Sequence, residues 1–506
     1  MPTLNWIGKE AVTNHDKEVP FKLLKKIKTA SAGDNSQNLI LHGDNLEALK
    51  ALMPYYYGRI DCIYIDPPYN TGNESWTYND KVNSPKIRQW LGKVVGRQSE
   101  DLTRHDKWLC MMYPRLKLLR DLLADHGSIF VQIDGNESGN LRLLMDEIFG
   151  PDNYRNQITW LRSSSGKTVS RNLSEDTDYI FWYSKSDQYK FNHVYKPLSE
   201  GTKAMYNKND NDGRGLYRLY PLQKTGGPGP ETTYDYIDNS GKVWKCPKKG
   251  WRMRKEKLKA LENDGRLYFE GNSLAEKAYW NERENEGQIA NNLWNDIFNL
   301  QGANNEKIDF VGQKPSKLIK RVIEMSTDNK EAIILDSFAG SGTTAHAVMD
   351  LNKSDQGARQ FILVEMEDDT ALKITVPRLK KNIEENNYRD GFEYCELDKP
   401  LFDERGQIED TCDFRQFATY IYFTETQTNI DPKKIDENYI GELGTTEYYL
   451  LYKGKNKNDL NKSFLKRIKK TDSKKVIYAD RCLIDDETLA KHNVVFKQIP
   501  YEVKVY

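Results

Sequence analysis

Short apolar runs that alternate with helical patterns constrain the fold of this 506-residue chain more than any other feature. Apolar runs begin near residues 38, 60, 128, 156, 177, 331 and 358. Several of them are followed by apolar side chains at helical spacing, as in Met112, Leu116 and Leu119. Strands that alternate with helices predict an α/β fold whose sheet is mainly parallel and doubly wound.

Changes of composition along the chain predict five segments. They are a lead-in (1–37), a first half of the sheet domain (38–185), an irregular insertion (186–300), a second half of the sheet domain (301–390) and a C-terminal domain (391–506). The insertion is rich in Gly, Asn, Lys, Tyr and Trp without long periodicity. The C-terminal segment contains a strand, helix, strand pattern, which predicts a small α/β domain.

Composition excludes several classes of protein. Lys plus Arg and Asp plus Glu both number 75, so a surface for nucleic acid would have to be local. The six cysteines form no C-x-x-C pair, which favours a reducing compartment and argues against both a zinc ribbon and a disulfide framework. No metal site is expected. Without a run of eighteen apolar residues or an apolar leader, the chain is expected to be soluble, cytoplasmic and not membrane-bound.

The stretch LDSFAGSGTTAHAV, residues 335–348, predicts a ligand loop between a strand and a helix. Gly340 and Gly342 allow the backbone to approach a ligand, and Thr343 or Thr344 can cap the helix, whose first N–H groups would be free. Glu365 ends the next strand, where a carboxylate suits the hydroxyls of a ribose. The loop alone leaves a dinucleotide, S-adenosylmethionine and a structural turn open.

The stretch IDCIYIDPPYNTG, residues 60–72, predicts a second site at the end of a buried strand. Pro67 and Pro68 carry no N–H, so the turn offers carbonyl acceptors beside the Asp66 carboxylate. Two acceptors match the two hydrogens of an exocyclic amine and stabilise charge as that amine attacks a methyl group. The ring of Tyr69 offers a stacking face, worth about 1–3 kcal/mol, for a base flipped out of a duplex.

A basic stretch in the insertion, residues 241–259, predicts a contact with DNA. GKVWKCPKKGWRMRKEKLK holds nine Lys or Arg against one Glu, with Trp244 and Trp251 between them. Basic residues interleaved with aromatic ones are typical of surfaces that contact phosphates. The side chains assigned to DNA are Lys245, Lys248, Lys249 and Arg252, although a solvated helix face is an alternative for the second half.

These motifs together resemble a family of enzymes that methylate amino groups of DNA with S-adenosylmethionine. DPPYNTG precedes FAGSGTT, as in the circularly permuted β-class of that family. More narrowly, the chain resembles the modification subunits of type III restriction–modification systems. The motifs that carry this resemblance are HGDNLEAL, IYIDPPYNTG, MMYPRL, GSIFVQID, DEIFG, KPSKLIKRVI, LDSFAGSGTTAHAV and the terminal FKQIPYEV.

The resemblance implies roles for individual residues. Asp66, Pro67, Pro68 and Tyr69 would form the amine site, and Glu365 would bind the ribose of S-adenosylmethionine. The residues implied to line the cofactor are Asp336, Phe338, Gly340 and Gly342. Asp44 would accept from the cofactor's adenine, although Asp44-x-x-Glu47 is also a helix capping box. Lys314, before Pro315, would lie near the methionine carboxylate, although a surface lysine at a helix start is equally ordinary.

The resemblance also implies a reaction and partners. Aspartate at position 66 is typical of adenine-N6 enzymes, whereas cytosine-N4 enzymes usually have serine, so a cytosine-N4 enzyme and a stand-alone adenine enzyme are alternatives. The expected substrate is double-stranded DNA, recognised through residues 186–300. A homodimer and a restriction subunit that supplies the nuclease and helicase are expected partners.

Three other classes compete with this interpretation. A nicotinamide-dependent oxidoreductase would use the glycine loop but leaves Asp66 to Tyr69 unexplained. A protein or RNA methyltransferase would commonly have asparagine in place of Asp66. A DNA-binding specificity subunit without catalysis would need neither motif.

Overall fold

The computed structural model describes residues 4–33, 36–71, 103–163, 173–271, 273–284, 287–301, 304–402, 408–409, 411–430, 434–453, 458–468 and 471–499. Two compact units emerge: residues 193–291 form one, and the described residues on both sides of that stretch form the other. The smaller unit falls inside the predicted insertion 186–300. The end of the terminal motif FKQIPYEV, from residue 500, lies outside the described residues.

A ten-stranded sheet forms the centre of the larger unit. Its strands are β1 (Lys22–Lys26), β2 (Leu39–His42), β3 (Ile60–Ile65), β4 (Leu123–Ile133), β5 (Tyr154–Leu161), β6 (Thr177–Ser184), β7 (Leu293–Trp294), β8 (Ile333–Asp336), β9 (Gln360–Glu365) and β10 (Glu393–Pro400). They lie in the order β1-β10-β2-β9-β8-β3-β4-β6-β5-β7. Six of these nine neighbouring pairs are parallel, which confirms the prediction of a mainly parallel sheet.

The central strands read as apolar runs because helices pack against the sheet. Strand β3, IDCIYI, is buried at every position, as expected for a parallel strand buried on both faces. The main helices of this part are α1 (Asn45–Tyr56), α2 (Arg104–Leu122), α3 (Ser138–Phe149), α4 (Ser316–Ser326), α5 (Thr343–Asp355) and α6 (Val376–Asn386). Shorter helices span Lys9–Val12, His15–Glu18 and Asp368–Thr370.

The strand order places a topological switch between β3 and β8. The chain continues from β3 to β4 on one side, and from β8 to β9 on the other side. Ligands of open α/β sheets bind beyond the carboxyl ends of strands at such a point. A ligand site is therefore expected at the residues that follow β3 and at those that end β8 and β9.

Each of the two predicted terminal segments contributes one strand to the central sheet, which the sequence did not predict. The predicted lead-in, 1–37, supplies the edge strand β1, whose lysines suit an exposed edge. The predicted boundary at residue 390 cuts through the sheet, because β10 pairs with β1 on one side and with β2 on the other. In this strand, EYCELDKP, charged side chains interrupt the apolar ones, so it lacks the signal of a buried parallel strand.

The C-terminal region adds a second sheet to the same unit. Its strands are β11 (Tyr439–Leu443), β12 (Thr446–Leu450), β13 (Lys474–Ala479) and β14 (Val494–Gln498), and its helices are α7 (Phe414–Thr426), α8 (Lys462–Arg467) and α9 (Asp486–Lys491). The predicted strand, helix, strand pattern is β13, α9 and β14. Phe423 of α7 packs into the core of the central sheet, with its ring 5.6 Å from that of Tyr57.

The smaller unit contains short strands and helices. Its strands are Tyr195–Lys196, Tyr217–Pro221, Tyr236–Ile237, Val243–Trp244, Leu267–Glu270, Ser273–Tyr279 and Gln288–Ile289, and its helices are Glu200–Ala204, Lys255–Asn263 and Trp280–Arg283. Three of the strands form an antiparallel sheet. Aromatic and leucine side chains fill its core: Leu222, Tyr236, Trp244, Trp251, Leu258 and Leu267. Across all described residues, no helix has the length and apolarity needed to span a membrane.

Candidate active site

Three carboxylates meet at the carboxyl edge of the central sheet. Asp66 follows β3, Asp336 ends β8 and Glu365 ends β9. Because β3, β8 and β9 are adjacent and parallel, their ends lie side by side. The structure thus brings together residues that the sequence assigned to two separate motifs.

Lys314 contacts the carboxylate of Asp66. Its Nζ donates to Asp66 Oδ2, and the side chains of the lysine and the aspartate are only 9% and 16% exposed. Burial raises the pKa of Asp66, and the charge and hydrogen bond of Lys314, together with the nearby Tyr69 hydroxyl, oppose that rise. The other oxygen, Oδ1, is buried and accepts no hydrogen bond within the described part of the chain. Asp66 is therefore an acceptor with one oxygen still available.

Tyr69 is held by buried polar side chains of the neighbouring strands. Its hydroxyl donates to Asp178 Oδ2 at 3.0 Å and accepts from Gln132 Nε2 at 3.0 Å. The residue is 4% exposed, and Lys314 Nζ lies 5.2 Å from the ring centroid. The predicted stacking face is thus under the lysine in this conformation. Gln132 and Asp178 were not predicted as site residues. Their signal in the sequence is a polar side chain inside an apolar strand.

The turn after Tyr69 is fastened to helix α2. Trp108 Nε1 donates to the Pro68 carbonyl at 2.7 Å, so that carbonyl is used inside the protein. Asn70, with a φ of 57°, donates from its side chain to Glu137 and to the Arg104 carbonyl, the latter at 3.1 Å. These contacts fix the direction in which the Asp66 to Tyr69 segment faces. That the Pro67 carbonyl is the second amine acceptor stays a prediction.

The glycine loop uses much of its own backbone N–H inside the protein. That the first N–H groups of α5, which starts at Thr343, are free stays a prediction; they receive no side-chain cap. Four backbone N–H groups donate inside the protein: Phe338 to Asp336 Oδ1 (3.0 Å), Ala339 to the Val364 carbonyl (3.0 Å), Gly340 to Glu365 Oε2 (2.8 Å) and Gly342 to the Ala339 carbonyl (2.8 Å). A phosphate cradle needs such donors pointing at the ligand. This loop uses them to fix its own shape.

Gly342 is required by the fold of the loop. Its φ is 79°, and a Cβ at this position would lie 3.0 Å from Thr375 Cγ2. It is also the N-cap of α5, without a side-chain cap, so the prediction that Thr343 or Thr344 caps the helix is wrong. Both hydroxyls donate to other groups. Thr343 Oγ1 donates to the Lys314 carbonyl at 3.2 Å, and Thr344 Oγ1 donates to Asp336 Oδ2 at 2.6 Å.

Negative charge is buried at this edge of the sheet. Asp336 and Glu365 are each 4% exposed. Burial, with a smaller contribution from the nearby carboxylates of Asp66 and Glu365, raises the pKa of Asp336 to about 7. Three carboxylates beside one lysine are suited to a ligand that carries positive charge.

Asp44 acts as a helix cap. Its Oδ1 accepts from the backbone N–H groups of Leu46 at 2.9 Å and Glu47 at 3.2 Å, and its Oδ2 pairs with the fully buried Arg115 at 3.2 Å. The capping alternative is therefore realised, and both oxygens have partners in the protein. The neighbouring Asn45 lines the adjoining cavity instead.

Two adjoining cavities share Asp66 and Phe338. The strand-end cleft is lined by Asn45, Asp66, Pro68, Met111, Ser337, Phe338, Val364, Glu365, Met366 and Glu367. The loop pocket is lined by Tyr64, Asp66, Phe310, Gly312, Lys314, Ile319, Asp336, Phe338, Ala339, Gly340, Ser341, Thr343 and Thr344. The cleft thus combines apolar side chains with Asn45, Ser337 and three carboxylates, and the loop pocket adds the cation of Lys314.

The basic stretch lies in the smaller unit and differs from its prediction. Trp244 and Trp251 are 5% and 3% exposed and belong to the core of that unit, so they are not stacking surfaces. Lys245 pairs with Asp235 at 2.7 Å and Arg252 pairs with Glu276. Lys249 donates to the Thr225 carbonyl at 3.2 Å, and Lys248 is exposed.

Comparison with known proteins relates the chain to DNA methylases. A family model described as a DNA methylase (N6_N4_Mtase) matches residues 60–375. The chain is 35% identical over 66% of its length to the Mod subunit of the type III restriction-modification enzyme StyLTI from Salmonella typhimurium, covering 53% of that protein. The EcoP15I Mod subunit from Escherichia coli is 28% identical over 73% of the chain and is covered to 65%.

A shorter relative is covered almost throughout. The type II methyltransferase M.KpnI from Klebsiella pneumoniae is 33% identical over 68% of this chain, and the match covers 84% of that protein. The chain spans less than two thirds of the length of the type III Mod subunits that it matches. The residues that this family model matches include the Asp66 to Tyr69 motif, the glycine loop and Glu365. The chain belongs to the DNA methylase family.

Proposed function

We propose that the protein transfers a methyl group from S-adenosylmethionine to the N6 amine of an adenine flipped out of double-stranded DNA. The observation that carries this proposal is the position of Asp66, which lines both cavities and keeps one buried oxygen without a hydrogen bond. A methyl donor that extends across both cavities would bring its methyl group beside this carboxylate, where a target amine could be bound.

The residues fit S-adenosylmethionine better than a nicotinamide dinucleotide. The carboxyl side chains of Asp66, Asp336 and Glu365 do not complement a pyrophosphate, and the backbone N–H groups of Phe338 and Gly340 are engaged inside the protein. A sulfonium cation is attracted by the same carboxylates. When bound, the cofactor supplies a methyl group on that positively charged sulfur.

The protein's own part would be to bind, orient and exclude water. Glu365 would bind the ribose hydroxyls, and Phe338 and Asn45 would contact the adenine part from the strand-end cleft. Asp66 would accept a hydrogen from the target amine and so favour the charge that develops on that nitrogen. The contacts of Tyr69 with Asp178 and Gln132 would keep the ring fixed beside the amine.

Adenine is the proposed target because the motif begins with Asp66. The DNA methylase family to which the chain belongs is named for both N6 and N4 methylation, and cytosine-N4 transfer is the second candidate. Both targets present an exocyclic amine, so the geometry of Asp66 serves either. The Mod subunits among the relatives support a modification role, with a homodimer, a restriction subunit and assembly through residues 391–506 as further proposals.

Calorimetry is expected to show binding of S-adenosylmethionine and none of NAD. Glu365→Ala should weaken the binding of S-adenosylmethionine, because the proposed ribose partner is lost together with the acceptor that fixes Gly340 N. Glu367→Ala, which removes a neighbouring glutamate of the same cleft, is a matched control for charge. Tight binding of NAD would favour the oxidoreductase interpretation instead.

The reaction itself is tested by transfer of a labelled methyl group from S-adenosylmethionine to duplex DNA of mixed sequence. Digestion to nucleosides is expected to place the label on N6-methyladenine. Label on N4-methylcytosine would select the second candidate. A chain that binds the cofactor and labels neither base would contradict the proposed function.

A further inference from the structure

Lys314 lies against the carboxylate and over the aromatic face that the proposed reaction assigns to the target base. Its Nζ contacts Asp66 Oδ2 and lies 5.2 Å from the centroid of the Tyr69 ring. An ammonium group offers N–H donors, as an exocyclic amine does. The lysine and a flipped base would therefore share one carboxylate and compete for one aromatic face.

A base alone is a poor competitor for this place. The Lys314 and Asp66 side chains are 9% and 16% exposed, and breaking a buried ion pair leaves an uncompensated charge. The amine of a base is neutral and does not replace the charge of the lysine. Displacement therefore becomes favourable only when another anion accepts the ammonium group.

The loop pocket provides the place for such an anion. Among the described residues that line it, Lys314 is the only cation. A carboxylate that enters this pocket would meet the carboxylates of Asp66 and Asp336, and Lys314 would be its favourable charge partner among the lining residues. The amino-acid end of S-adenosylmethionine carries a carboxylate.

The backbone of Lys314 is held in place, whereas its side chain can change rotamer. The Lys314 carbonyl accepts from Thr343 Oγ1 at 3.2 Å, which ties it to the start of α5. Pro315 follows as the N-cap of α4, and its ring limits the backbone. The flexible four-carbon stem of a lysine allows Nζ to change partners without movement of either helix.

We propose that Lys314 is a positioning residue that blocks the amine site until the carboxylate of the bound cofactor draws its ammonium group away from Asp66. The inference rests on the proposed function. It makes base capture dependent on the cofactor, so that the enzyme holds no base out of the duplex when it has no methyl group to transfer.

The first test uses the unaltered protein and the DNA sequence that the methyl-transfer assay identifies, with 2-aminopurine at the target base. S-adenosylhomocysteine keeps the carboxylate and has no methyl group to transfer, whereas 5′-methylthioadenosine lacks the amino-acid part. We expect S-adenosylhomocysteine to raise the 2-aminopurine fluorescence and to tighten DNA binding about 5–150-fold, the usual range of coupling between two sites. 5′-Methylthioadenosine at saturation should do neither.

Variants give an independent test. Lys314→Met is expected to capture the base without any cofactor, with a coupling factor close to one. Lys314→Arg keeps the charge and should retain part of the coupling. Lys317→Met is the matched control, because Lys317 is exposed in the same helix α4, and it should behave as the unaltered protein.

The outcomes separate this inference from the proposed function. If the protein methylates DNA but both nucleosides raise the fluorescence equally, or neither does, Lys314 does not gate the site and the proposed function stands. If no methyl transfer occurs at all, the proposed function itself fails. Should Lys314→Met not fold, the comparison of the two nucleosides still decides.

Discussion

Replacing Asp66 by alanine is expected to lower the rate of methyl transfer about 10²–10³-fold, which corresponds to about 2.7–4 kcal/mol in the barrier for loss of one preorganised acceptor. The expectation follows from a carboxylate that faces both cavities with one oxygen without a hydrogen bond. Binding of S-adenosylmethionine should persist, because the cleft that holds Glu365 and Phe338 remains. Single-turnover transfer of a labelled methyl group measures the rate.

A second aspartate in the same strand provides the control. Asp61 lies at the other end of β3, is 6% exposed, and accepts from His126 at 2.8 Å and from the Ile333 backbone N–H at 2.8 Å. Asp61→Ala should lower the midpoint of thermal unfolding and leave the rate per folded molecule unchanged. An Asp66→Ala protein that is folded and transfers methyl groups at near the normal rate would contradict the proposed amine site.

Exchanging residues 193–291 for the corresponding stretch of a related methyltransferase is expected to change the DNA sequence that is methylated. Asp66 and Tyr69 can hold one base but have no reach to its neighbours, so base-edge contacts must come from elsewhere. The stretch forms a compact unit with its own core, which favours correct folding after exchange. A mismatched base pair typically costs about 1–3 kcal/mol of binding free energy. The chimera should therefore methylate a different DNA sequence rather than a wider set of sequences.

Sequencing of the methylated sites reads the result, and calorimetry should show unaltered affinity for S-adenosylmethionine. If the chimera still methylates the original target, recognition lies outside residues 193–291.

Removing positive charge from the smaller unit is expected to affect DNA binding of every sequence, unlike the exchange. Neutralising the exposed Lys248 and Lys249 should weaken binding to all sequences and reduce the salt slope by about 0.9 per lost phosphate contact. Lys245 and Arg252, which already pair with acidic side chains, are expected to contribute less.

The sequence by itself determined the central strands and the residues at their ends. Buried parallel strands such as β3 and β8 need unbroken apolar runs, and such runs are readable without a structure. Asp66 and Glu365 could be named because each stands where an apolar run stops, and the family resemblance added Asp336. Gly340 and Gly342 were recognisable for a similar reason, since their positive φ angles favour glycine.

Only the tertiary structure decided which of these residues meet and what they already bind. Lys314 and Asp66 are 248 positions apart, and no local pattern reports a contact over that distance. The same holds for the loop N–H groups taken up by Glu365 and Val364, for Arg115 beside Asp44, and for β10 between β1 and β2. Local patterns report burial and backbone preference, because these depend on nearby residues. The partner of a polar group depends on the packing of the whole sheet, and so it appears only in the folded chain.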